Sequence, residues 1–212
     1  MSNEAHQREQ AAAGLEQLAA LVRAQSWRSP GLPALPPTQG AILRMLAGSD
    51  GALRAKHIAA RLEVSPASLS DSLKTMEGKG WISRNVDPND RRASIVQLSR
   101  PGRALAARLV HPDKGMAALL QGLDAVDVGA LLRVTQLLVD QAQQQGLATG
   151  MRTCLGCRFF RPFASGDAAQ PHRCDFLGTA FGDAELRADC AEQSPADADL
   201  QAANRERFRQ HA

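Results

Sequence analysis

The chain has 212 residues, 44% hydrophobic and 22% charged, with a net charge of +3. That length holds one domain with extensions or two small ones, with room for a sizeable core. No stretch approaches the roughly 20 consecutive apolar residues of a membrane span. The polar start MSNEAHQREQ lacks the apolar core of a signal peptide, so a cytoplasmic protein is expected.

Glu4–Trp27 carries Leu15, Leu18, Leu21 and Val22 at helical spacing and reads as one amphipathic helix. Four prolines between Ser29 and Pro37 then predict an extended connector. Thr38–Leu46 follows as a helix with Ile42, Leu43 and Leu46 inside, closed by Gly48–Gly51. Ala55–Leu62 places Ile58, Ala59 and Leu62 on one face, and Glu63-Val64 breaks the pattern. Ser65-Pro66 is an N-cap serine followed by proline at the first helical position, where a missing N–H costs nothing.

Within Pro66–Lys79, Leu69, Leu73 and Met76 form the buried stripe, leaving Ala67, Ser68, Ser70, Asp71 and Lys74 outside. Small side chains let a helix axis approach base edges in a major groove, and polar ones read them. Gly78 and Gly80 end this helix, Trp81–Arg84 alternates as a strand, and Ile95–Leu98 returns. The tip Asp87-Pro88-Asn89-Asp90-Arg91-Arg92 has turn chemistry, and its two arginines are free to reach phosphates or a minor groove. Helix, tight turn, helix and charged hairpin in that order describe a winged helix-turn-helix, mainly α with a small β-hairpin wing. Ser65, Ala67, Ser68, Ser70 and Lys74 are the candidate groove-facing residues, with Arg91 and Arg92 on the wing.

Charge distribution agrees with that assignment. From Thr38 to Val110 there are twelve basic residues against six acidic ones, a net +6, while the rest of the chain is −3. Phosphate neutralisation needs its positive field on the reading module. His57, on the first helix of the motif, fits a surface or DNA-facing role.

Pro37-Thr38-Gln39, Ser65-Pro66-Ala67-Ser68-Leu69-Ser70, Gly80-Trp81-Ile82, the wing DPNDRR, Gln97-Leu98-Ser99 and Gly102 together resemble the MarR family of bacterial transcriptional regulators. The resemblance covers roughly residues 10–145. It implies an obligate homodimer on a pseudo-palindromic double-stranded DNA operator, acting as a repressor, with the Pro66 helix in the major groove. A winged helix serving as a protein–protein module is the alternative, and the charged tip argues against it.

After the wing, Arg103–Val110 reads as a helix ended or kinked by His111-Pro112, with Asp113–Gln121 continuing beyond it. Asp124 is an N-cap for a long helix to about Gln145, apolar at Val128, Leu131, Leu132, Leu138 and Val139. Such a helix in a monomer has little to pack on. With the N-terminal helix it builds a two-fold interface, as the resemblance implies; ordinary packing within the chain is the other reading.

Composition changes at Gly146–Gly150, beyond which lie all four cysteines and all six phenylalanines. This tail has few aliphatics for a core, so a staple is expected. The spacing is C-x2-C-x16-C-x15-C, with Cys154 and Cys157 a chelating pair, Gly156 permitting the bend, and Cys174 and Cys190 arriving singly. Structural zinc sites more often use two pairs, whereas iron–sulfur clusters often take one pair plus isolated thiolates. The pair and the sixteen-residue gap are similar to those of high-potential iron–sulfur proteins, which implies a [4Fe–4S] cluster on Cys154, Cys157, Cys174 and Cys190. The last gap departs from that pattern. Structural zinc on the same four cysteines and a metal-free thiol switch remain alternatives, and His172 reads as a polar loop residue.

No glycine-rich phosphate loop, HExxH or Ser/His/Asp set with context is present, so no catalytic residue is assigned. A Cys-x-x-Cys oxidoreductase is the enzymatic alternative, but its usual βαβ context is missing. The predicted organisation is a dimerisation helix and connector over 1–37, the DNA-binding domain over 38–110, dimerisation helices over 111–149 and the cysteine-rich segment over 150–212. Function is then a transcriptional regulator tuned by a redox-, oxygen-, nitric oxide- or iron-sensing cluster. The alternative is a small-molecule-responsive regulator with a structural zinc tail.

Overall fold

The computed structural model describes residues 3–28, 33, 35–49, 52–109, 115–147 and 150–210. Much of the proline-rich connector and the His111-Pro112 break lie outside them. Two compact units emerge, Met1–Ile58 with Ser65–Leu119, and Ala59–Val64 with Leu120–Ala212. Among the described residues no helix is long and apolar enough to cross a membrane.

The first unit contains α1 (Asn3–Arg28), α2 (Pro37–Ala47), β1 (Ala52–Arg54), α3 (Ala55–Leu62, which runs on into the second unit), α4 (Pro66–Gly78), β2 (Ile82–Asp87), β3 (Asp90–Leu98), α5 (Arg100–Leu109) and α6 (Gly115–Leu120). Its core is the set the periodicity picks out: Ile42, Leu43 and Leu46 from α2, Ile58 from α3, and Leu69, Leu73 and Met76 from α4 are all buried. Ile82, Val96 and Leu98 add the inner face of the sheet. Burying each such side chain contributes about 1.5–3 kcal/mol.

Two details differ from expectation. β1 is an unforeseen third strand, pairing antiparallel with β3 to give the order β1-β3-β2. Its three residues are too few for periodicity to register. The strands also run further than expected, so the turn is confined to Asp87–Asp90 and the two arginines lie on β3 rather than at the tip.

α3 closes on Glu63, whose φ of 53° is in the left-handed region. Val64 N–H donates to Ala59 O and Glu63 N–H to Ala60 O, which satisfies two of the carbonyls in the last turn of the helix.

The start of α5 is set by close approach. Ser99 N–H donates to Trp81 O, Ser99 Oγ donates to Gly80 O and accepts from Gly102 N–H, and a Cβ on Gly102 would lie 1.8 Å from Trp81 O. Only glycine fits there without moving backbone.

The second unit holds α7 (Ala125–Gln144), β4 (Phe160–Arg161), β5 (His172–Cys174), β6 (Thr179–Phe181), a 3-10 turn at Asp183–Glu185 and α8 (Ala198–Gln210). Asp124 caps α7 as expected, Oδ1 accepting from Val126 and Asp127 N–H at 2.9 Å. The tail is more ordered than its composition suggests. β4-β5-β6 form an antiparallel sheet, and Phe160, Phe208, Leu155 and Leu186 make a core against which Leu132 and Leu137 of α7 pack.

The expectation that α7 has little to pack on within the chain therefore fails for one face. A Cβ on Gly129 of α7 would lie 3.1 Å from Asp183 Cβ, so the 3-10 turn rests directly on the helix. Asp140 is buried and held by Arg205 Nε and Nη2 at 2.6 and 3.1 Å. The opposite face stays apolar and exposed at Leu131, Val134 and Leu138, and α1 likewise exposes Leu15, Leu18, Leu21 and Val22.

Replacing Gly102 with alanine is expected to cost about 3 kcal/mol through the clash with Trp81 O, seen as a lower midpoint in chemical denaturation. The substitution at Gly78, where a Cβ meets nothing within 4 Å, serves as the neutral control.

Candidate functional site

On the winged unit, Ser65 is spoken for as the N-cap. Its Oγ accepts from Ser68 N–H at 3.1 Å and lies 2.9 Å from Ser68 Oγ. Ala67, Ser68, Ser70 and Lys74 are exposed along α4, while Leu69, Leu73 and Met76 are buried. Arg91 and Arg92 are exposed, and among the described residues neither forms an ion pair. By contrast Arg84 is bound to Glu77, with Nε to Oε2 at 2.9 Å, and Arg54 to Asp87 at 2.5 Å.

That last pair anchors the wing. Asp87 is 2% exposed, its Oδ1 accepts from Asn89 N–H at 2.8 Å, and Arg54 reaches it from β1. The Asn89 N–H and the guanidinium hold its carboxyl below the usual carboxylate range. Asp87 of the wing motif is thus structural, while the two arginines stay exposed.

In the second unit the four cysteines, 36 residues apart at their extremes, line one cavity of about 230 Å³. An isolated water needs only ~10–15 Å³ of such space. Phe159, Phe160, Phe176 and Phe181 supply apolar wall, and Glu185, Arg187 and Glu192 supply the polar part. All four cysteines are free thiols. Among the described residues no three His, Cys, Asp or Glu side chains are set to hold a single metal ion. The thiols therefore border a space instead of converging on a point.

Backbone hydrogen bonds explain how distant cysteines meet. Cys157 N–H donates to Cys154 O at 2.9 Å, closing the tight turn of the pair. Gly156 is not what permits it, since a Cβ there would make only ordinary contacts and its φ is not positive. Cys174 ends β5, paired with Phe160 on one side and Thr179 on the other. Cys190 N–H donates to Arg152 O at 2.9 Å.

Gln136 of α7, fully buried, joins two of these segments: its Nε2 donates to Arg187 O and its Oε1 accepts from Leu155 N–H, both at 3.0 Å. Arg187 N–H in turn donates to Cys154 Sγ at 3.3 Å. Burial pushes the Cys154 thiol up to about 11, opposed by that N–H and reinforced by the three neighbouring sulfurs. Burial also raises the Cys190 thiol.

His172 corrects its reading as a polar loop residue. It lies in β5, completely buried among Phe160, Phe163, Phe181 and Phe208. Phe163 N–H donates to Nδ1, so the ring proton sits on Nε2 and is donated to Asp183 Oδ1 at 2.7 Å. Burial lowers its basicity against the pull of Asp183. Sequence reasoning also missed Gln136, Arg187 and Glu192, because a lone polar residue on a helix or loop carries no spacing signal.

The first unit, with its sheet-backed wing and exposed α4, defines a winged helix-turn-helix protein. Residues 35–93 match the model of the MarR family. The fold is similar to that of Streptococcus pneumoniae FabT in complex with DNA, at 17% identity and a TM-score of 0.55 over 66% of this chain and 99% of that one. Other similar structures are BldR from Sulfolobus solfataricus (18% identity, TM-score 0.49, 65% of this chain and 98% of that one). A mutant MarR from E. coli complexed with operator DNA is also similar (20% identity, TM-score 0.48, 62% and 91%). No curated protein matches the chain.

In the metal-free protein, Cys154 is expected to resist alkylation by iodoacetamide at pH 8 and to become reactive as pH approaches 11, because the thiolate is the nucleophile. Modification mapped by mass spectrometry checks this; Cys154 labelling at pH 8 as fast as an unfolded thiol would contradict it.

Proposed function

We propose that the protein is a homodimeric, DNA-binding transcriptional repressor of the MarR type whose operator affinity is tuned by an iron–sulfur cluster on Cys154, Cys157, Cys174 and Cys190. The observation that carries the DNA-binding part is α4, presenting Ala67, Ser68, Ser70 and Lys74 outward within a MarR-family winged helix, with Arg91 and Arg92 unpaired on its wing. Lys74 and the wing arginines supply phosphate contacts, and the serines supply hydroxyls for base edges. Dimerisation through the exposed apolar faces of α1 and α7 would space two α4 helices near one turn of DNA.

Four thiols around one apolar cavity support the cluster, and one chelating pair with two isolated cysteines is a spacing that suits it better than structural zinc. A [4Fe–4S] cluster would supply sensitivity to oxidants, nitric oxide or iron supply. The residues themselves do the coupling. Gln136 ties the Cys154 and Arg187 segments to α7, so disordering those loops removes the buried support of the helix whose outer face dimerises.

Replacing Arg91 and Arg92 with alanine is expected to weaken operator binding across sequences and to flatten the salt dependence by about one unit per lost phosphate contact. An unchanged slope in fluorescence anisotropy would remove the wing from the interface.

For the thiol cavity, anaerobically purified protein is expected to contain about four irons and four acid-labile sulfides per chain, and removing them is expected to change operator affinity. Equal affinity with and without cluster would end the sensing role. One zinc and no colour would turn the tail into a structural staple and move the signal to a small molecule.

A further inference from the structure

We infer that the Cys190 corner of the thiol cavity is an exchangeable one, with the Glu192 carboxylate built in as the alternative donor; this rests on the reading that the cavity holds an iron–sulfur cluster.

The four cysteines are not equivalently held. Cys154 and Cys157 share one hydrogen-bonded turn, pinned to α7 through Leu155 and Gln136, with Cys154 Sγ capped by Arg187 N–H. Cys174 is in the central strand of its sheet, paired on both sides. Cys190 belongs to neither strand nor helix; its N–H donates to Arg152 O and its carbonyl accepts from Gln193 N–H, and the Arg152 guanidinium holds the neighbouring Asp189 carboxylate and Ala191 O. It is the one corner of the four that lies outside both the hydrogen-bonded turn of the pair and the sheet.

A replacement donor is already beside it. Cys190 Sγ lies 3.4 Å from Glu192 Oε2, and both residues line the cavity. The other carboxylate in the wall, Glu185, is engaged by Gly182 N–H at 2.8 Å. Asp175, next to Cys174, is held by Arg161 at 2.9 Å and is not among the lining residues. Apart from Cys190, Glu192 is paired with Arg187 at 3.6 Å, and with the Arg187 and Glu192 side chains 52% and 41% exposed that pair contributes little. Its oxygen is therefore the carboxylate donor standing next to the sulfur.

The exchange is a ligand substitution with no electron transferred. The bond from Cys190 sulfur breaks, the sulfur takes a proton from solvent, and Glu192 oxygen forms the new bond. Carboxylate oxygen is a harder and weaker donor to this type of centre than thiolate. The corner it occupies is consequently the one at which a small external ligand or oxidant enters, while the remaining three thiolates keep their places.

The test is anaerobic reconstitution of the full chain with ferrous iron and sulfide, reading iron, sulfide and the electron paramagnetic resonance of the reduced protein. Cys190→Ala is expected to retain most of the wild-type iron and sulfide with an altered resonance. Cys157→Ala and the double variant Cys190→Ala with Glu192→Gln are expected to lose at least about tenfold. Loss in Cys190→Ala equal to that in Cys157→Ala overturns the inference while leaving the cluster intact in the wild type. Absence of iron and sulfide from the wild type overturns the underlying reading as well. Should Cys190→Ala not fold, Glu192→Gln alone, a change at an exposed side chain, is expected to speed iron loss to a chelator several-fold in the loaded protein, and an unchanged rate overturns the inference.

Discussion

One buried amide side chain organises the cysteine-bearing unit. Gln136 must satisfy both ends of its amide once α7 and the loops close over it, because a buried donor or acceptor left unpaired costs about 1–3 kcal/mol. It does so with Leu155 N–H and Arg187 O, the backbone groups flanking the pair of cysteines on one side and leading to Cys190 on the other. The loops are thereby placed by α7 as well as by their bonds to one another, Cys154 N–H to Arg187 O and Cys190 N–H to Arg152 O. Asp140 with Arg205 and Gly129 beneath Asp183 repeat the arrangement along the same helix. α7 is the scaffold of this unit and simultaneously exposes Leu131, Val134 and Leu138 on its far side.

The winged unit solves a different problem, which is to hold basic side chains outward without neutralising them. Two of its acids are held internally, Asp87 by Arg54 and the Asn89 N–H and Glu77 by Arg84. Lys79 Nζ sits 4.5 Å over the Trp81 ring, a cation held without a carboxylate. Lys74, Arg91 and Arg92 stay exposed without an ion pair among the described residues, along with the small residues of α4. The net +6 of residues 38–110 is thus sorted into structural pairs and unpaired cations by the fold.

The cavity joins chemistry and architecture. Its walls are phenylalanines, so water is poorly accommodated and thiolates are disfavoured, as the raised Cys154 thiol records. The same phenylalanines continue into the core around His172 and Phe208, and what surrounds the thiols is also what folds the unit.

Local chemistry alone determined most of the winged unit. Helical spacing placed α2, α3 and α4 and their buried stripes, Ser65-Pro66 began α4, and Asp124 began α7, because periodicity and caps act within a few residues. The cysteine count and spacing also announced a shared site. Tertiary structure alone decided what those signals cannot carry: the β1 strand, paired with residues more than forty positions later, the packing of α7 on the tail, and the burial of His172. It decided as well that four thiols surround a volume and that Glu192 stands beside one of them. Each depends on contacts between segments far apart in sequence, where side-chain type says what can be bonded and only the folded backbone says what is within reach.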